Sequence, residues 1–87
     1  MTREEFIQVM DRQVKLVRTE FSLTQDAMAR VLGMSKKTLV EIEKGRSSLG
    51  WMGAVALVSL FPSSQILDRL LGGEAGDMVR ALAFADT

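Results

Sequence analysis

The 87-residue chain contains no cysteine, no histidine and no tyrosine, and only one proline. The absence of cysteine excludes a disulfide framework, a thiolate nucleophile, a thiol redox pair and any Cys-ligated zinc site. The absence of histidine excludes Ser-His and Cys-His catalysis and an imidazole metal site. Only carboxylate, lysine or hydroxyl chemistry is left, and the carboxylates are scattered. No enzyme, cofactor, metal or small-molecule ligand is therefore expected. The segment Met1 to Gln13 is charged and lacks the apolar core of a signal peptide. The uncharged stretch from Ser47 to Gln65 mixes Ser, Gly, Pro and Gln with its apolar residues, unlike a membrane span. The expectation is a soluble, cytoplasmic protein without a membrane partner.

Net charge is also missing: 11 Lys and Arg balance 11 Asp and Glu. Taken alone, that neutrality argues against a nucleic-acid partner. It is a cancellation. Residues 22–50 hold five basic and three acidic side chains, whereas residues 51–87 hold two basic and four acidic. The middle third is the basic part and the C-terminal third the acidic one.

What is present is helical. Thr2 and Glu5 have capping-box spacing, and Phe6, Met10, Val14, Val17 and Phe21 follow at intervals of three and four. Thr24 is an N-cap for a second, short helix with Met28, Ala29 and Leu32 on its apolar face, and Gly33 ends it. Ser35 caps a third helix, with Leu39 and Ile42 facing inward, that stops near Gly45. Trp51 to Phe61 is apolar and helix-length, with Pro62 stopping it. Ser63 can cap a fifth helix carrying Ile66, Leu67, Leu70 and Leu71, ended by Gly72-Gly73. Glu74 to Phe84 reads as a last helix. No strand signal appears. The fold class is all-α, a bundle of five to six short helices.

Helix, tight Gly-containing turn and helix at residues 24–45 is the pattern of a helix-turn-helix. The string goes further than the pattern. Arg18, Thr24-Gln25, Ala29, Leu32-Gly33-Met34-Ser35, Thr38-Leu39 and Ile42-Glu43-Lys44-Gly45-Arg46 stand in one fixed spacing. That spacing resembles the Cro/C1 repressor-like (Xre) helix-turn-helix family over about residues 14–61. The resemblance implies a lambda-repressor-like DNA-binding domain at residues 1–63, followed by a C-terminal helical extension at 64–87. It implies double-stranded DNA as the partner. Trp51, Leu49 and Gly50 depart from the family pattern at the start of the fourth helix, and the first helix is longer than the motif needs.

Site residues follow from the resemblance. Arg18 and Glu43 are expected to form a structural ion pair between the first helix and the end of the recognition helix. Lys36, Lys37, Val40 and Glu41 lie on the outward arc of that helix and are candidates for base contact. Gln25, Ser35, Thr38, Lys44, Arg46 and Ser47 are candidates for phosphate contact, and Gln25 is also expected to brace the recognition helix. The arc contains no Arg, Asn or Gln, the usual sources of bidentate base contacts. The apolar C-terminal residues Leu70, Leu71, Met78, Val79 and Leu82 are candidates for a homodimer or partner surface. The expected function is a sequence-specific transcriptional regulator, a dimeric repressor acting by operator occlusion. The alternative is an antitoxin-type or accessory module that grips a protein partner, such as a toxin, through its C-terminal helices.

Overall fold

The computed structural model describes residues 1–85. Among them are six helices and no strand: α1 (Arg3–Glu20), α2 (Gln25–Leu32), α3 (Lys36–Glu43), α4 (Gly50–Leu60), α5 (Gln65–Leu71) and α6 (Ala75–Ala83). The helix starts follow local chemistry. Thr2 and Glu5 make both hydrogen bonds of a capping box on α1. Thr24 accepts from the Ala27 N–H and Ser35 from the Thr38 N–H, so α2 and α3 each begin on a satisfied donor.

The turns are equally specific. After α1, α2 and α3 the chain closes with a bond spanning five residues and another spanning three: Leu23 to Arg18, Met34 to Ala29, Arg46 to Glu41, with Ser22 to Thr19, Gly33 to Arg30 and Gly45 to Ile42. This is the Schellman arrangement, which needs a left-handed residue at the turn. Gly33 supplies it at φ 75° and Gly45 at φ 77°. After α1 the position is held by Ser22, at φ 56°, where an L side chain is strained.

α1 is the element the others are built on; it packs against α3, α4 and α5. Phe6, Met10, Val14 and Val17 form its buried stripe, while Phe21 stays over a third exposed at the C-cap, its ring 5.0 Å from Phe61. Met28, Ala29, Leu39, Ile42, Ala54 and Leu57 complete the central core. The polar residues of α1 cap other helices. Glu20 accepts from the Ser64 hydroxyl at 2.6 Å and from the Gln65 N–H at 2.7 Å, at the positive end of α5. The Arg3 guanidinium donates to the Leu82 and Ala83 carbonyls, at the negative end of α6. Asp11 accepts from the Leu49 N–H at 2.8 Å, where α4 begins.

These long-range caps correct or explain several expectations. Ser64, not Ser63, caps α5: it accepts from the Leu67 N–H and is fully buried under Glu20. Leu49 and Gly50 provide no side-chain cap for α4, and Asp11 and Ser48 accept from their N–H groups instead. The extra turns at the start of α1 carry Arg3 and Phe6. The Arg3 guanidinium lies 4.5 Å from the centre of the Trp51 ring, which meets the Phe6 ring edge-on. The extension is therefore joined to α1 at both of its ends. Its last two residues, 86 and 87, lie outside the described residues.

Among the described residues no single helix is long and apolar enough to cross a membrane. No group of three or more acidic side chains there is placed to hold a metal ion.

Candidate nucleic-acid interface

α3 divides into an inner and an outer side. Leu39 and Ile42 are buried in the core, so the orientation of the helix is fixed by apolar packing. Ser35, Lys36, Lys37 and Thr38, its first turn, are all exposed. Because the first turn of any helix has free N–H groups and a partial positive charge, this turn is suited to face phosphate or base edges. Ser35 Oγ both accepts from the Thr38 N–H and donates to Thr38 Oγ1, at 2.9 Å, which orders the turn without using the lysines. Lys36 Nζ lies 3.7 Å from Asp26 on α2, an exposed and weak pair. Lys37 has no ion-pair or hydrogen-bond partner among the described residues. Val40 and Glu41 are half-buried one turn on, with Glu41 at 4.0 Å from Arg46. Lys44, Arg46 and Ser47 are exposed in and after the α3 terminus.

The far end of α3 is locked. Arg18 Nε donates to Glu43 Oε2 at 2.7 Å and Nη2 to Oε1 at 3.1 Å, a two-pronged pair. The Glu43 side chain is 5% exposed and that of Arg18 14%. The third guanidinium nitrogen donates to the Leu23 carbonyl at 3.1 Å, so Arg18 also closes the α1–α2 turn. Gln25 adds a further bond, Nε2 to Glu43 Oε1 at 3.2 Å. Burial pushes the Glu43 carboxyl upward, but the bonds from Arg18 and Gln25, with the Arg18 and Lys15 charges, outweigh it and hold the pKa below the usual carboxylate range. α1, α2 and α3 thus meet at one carboxylate. Gln25, expected both to contact a phosphate and to brace the recognition helix, makes the bracing bond: its amide reaches Glu43 of α3 from the start of α2.

The C-terminal residues separate into two groups. Leu71 is 4% exposed and Val79 8%, so neither belongs to a surface. Both fill the core where α5 packs on α1 and α6 on α4. Met78 and Leu82 are half-buried against the same core. Leu70 is open to solvent, as are Met52, Leu60 and Phe84.

A family model described as helix-turn-helix matches residues 14–50. No curated protein and no solved structure matches the chain. The match stops at Gly50, short of Phe61, so nearly all of α4 and the whole extension lie beyond it. It takes in the Arg18–Glu43 pair, both helices of the motif and every exposed cation of the recognition segment. Over residues 14–50, a little under half of its length, this chain is similar to the helix-turn-helix family.

Proposed function

We propose that the protein is a sequence-specific transcriptional regulator that reads double-stranded DNA with the first turn of α3, acting as a dimeric repressor by occluding an operator. The observation that supports this most directly is the division of α3: Leu39 and Ile42 are buried while Ser35 to Thr38 are exposed, on a helix whose other end is fixed by Arg18, Gln25 and Glu43. A helix held in that way can present the same side chains to every base pair it meets, which base readout requires. Lys36 and Lys37 are the base-edge candidates. Thr38, Lys44, Arg46 and Ser47 are the phosphate candidates. A dimer suits this reading, because two copies double the footprint and impose half-site spacing. Leu70 on α5, with the half-buried Met78 and Leu82 on α6, is the surface offered for pairing.

The test is a salt titration of binding to duplex DNA. Each phosphate contact contributes about 0.9 to the slope of log K against log salt. A steep negative slope supports the reading. A flat one, or no binding at low salt, rejects it.

A further inference from the structure

A shallow groove separates the middle of α1 from the end of α3. It is lined by Asp11, Arg12, Lys15, Ile42, Glu43 and Lys44. Its two acids are already engaged. Asp11 holds the Leu49 N–H, and Glu43 is occupied by Arg18 and Gln25. Its three cations are not: Arg12, Lys15 and Lys44 are exposed, and none has an ion-pair partner among the described residues. Lys15 lines the same groove as Ile42, Glu43 and Lys44, so it lies on the side of α1 that faces the end of the recognition helix. The groove therefore holds one acid paired with Arg18, one acid whose oxygen accepts from a backbone N–H, and three cations from two helices, which leaves it net positive. It is a concentrated positive site in a chain of zero net charge.

We propose that Arg12 and Lys15, together with Lys44, form a second phosphate-binding site, which takes the DNA backbone along the far edge of the major groove. This rests on the DNA-binding reading and extends it to a helix outside the two-helix motif. The spacing favours it. α3 has eight residues and is about 12 Å long, so with its first turn on the base edges its far end stands about two turns away, toward a flanking backbone. Lys36 and Lys37 stand at one end. Lys44 stands at the other, with Arg12 and Lys15 across the groove from it. A phosphodiester entering there meets three cations against the single unpaired carboxylate of Asp11, which is held on the Leu49 N–H.

The experiment compares the full chain with Arg12→Gln/Lys15→Gln and with Lys37→Gln, on a mixed-sequence duplex and on a selected high-affinity duplex, across a salt series. Unfolding curves serve as a control on folding, which both exposed side chains leave intact. The expected result for the double variant is equal weakening on both duplexes, with the slope reduced by about 0.9 for each phosphate no longer neutralised. Lys37→Gln is expected to weaken the selected duplex more than the mixed one. A double variant that binds both duplexes with unchanged affinity and slope, while the unaltered chain binds well, overturns the second site and leaves the DNA reading standing. Failure of the unaltered chain to bind either duplex at low salt overturns both.

Discussion

Replacing Glu43 by alanine strands a guanidinium. In the intact protein Arg18 places two of its nitrogens on Glu43, at 2.7 and 3.1 Å, and the carboxylate side chain is only 5% exposed. Breaking a buried pair from one side costs about 3–5 kcal/mol. Arg18 remains 14% exposed and keeps its bond to the Leu23 carbonyl, so the lower end applies, about 3 kcal/mol. For a domain of this size that corresponds to a fall in melting temperature of about 12–24 °C. A double-mutant cycle separates the pair from simple truncation. Arg18→Ala leaves Glu43 with Gln25 alone, whereas Arg18→Ala/Glu43→Ala strands no charge. The double variant is therefore expected to lose less than the sum of the singles, by about 2 kcal/mol. The pH dependence has a fixed sign. Because the folded pKa of Glu43 lies below its unfolded value, the pair contributes fully above the unfolded pKa and its contribution disappears as pH falls through the folded one. The gap between wild type and Glu43→Ala should close in acid. A thermal unfolding series read by circular dichroism gives all four values. A Glu43→Ala protein within about 0.5 kcal/mol of wild type at neutral pH, the range of ordinary surface substitutions, rules out this role for the pair.

Other outcomes follow from the same geometry. Ser22→Gly relieves a left-handed L residue and is expected to stabilise by about 1 kcal/mol, whereas Gly33→Ala imposes the same strain and destabilises by about as much; paired melting curves with opposite shifts check this. Ser35→Ala removes the α3 cap, costing about 1 kcal/mol of stability, and also loosens the turn that presents Lys36 and Lys37, so DNA affinity should fall further than stability does. The Ser64 hydroxyl first, and the Gln65 N–H with it, hold the Glu20 carboxyl below the usual range, so its stabilisation is present at neutral pH and lost as pH falls through the folded value; Glu20→Gln should differ from wild type near pH 7 and match it in strong acid. Arg3→Ala frees the end of α6, and amide exchange should quicken in α6 before it does in α3.

Much of the fold was legible because its determinants are local. Thr2, Thr24 and Ser35 cap helices that begin at the next residue, and Gly33 turns the chain within the same few positions. The Arg18–Glu43 pair spans 25 positions and was expected only because the string of residues around it resembles a known family; periodicity does not show it. Features hidden from the sequence all depend on a partner remote in the chain. Ser63 and Ser64 are indistinguishable as caps until Glu20, 44 positions away, selects the second. Leu71 and Val79 read as an apolar surface because nothing in their own helices shows that α1 and α4 cover them. The charge balance changes meaning in the same way: the neutral total conceals a recognition segment whose acid Glu43 is taken up internally, leaving Lys37 and Lys44 without an ion-pair partner among the described residues.

Whether the first turn of α3 reads duplex DNA in a symmetric pair is decided most sharply by selection from random duplexes with the full chain, followed by alignment of the enriched sequences. Two inverted half-sites are expected, with centres about 10–10.5 base pairs apart or a multiple of that, and Lys36→Gln/Lys37→Gln should lose the half-site preference. Selection that enriches nothing, or an undivided asymmetric site indifferent to those two lysines, contradicts a symmetric pair reading DNA through α3.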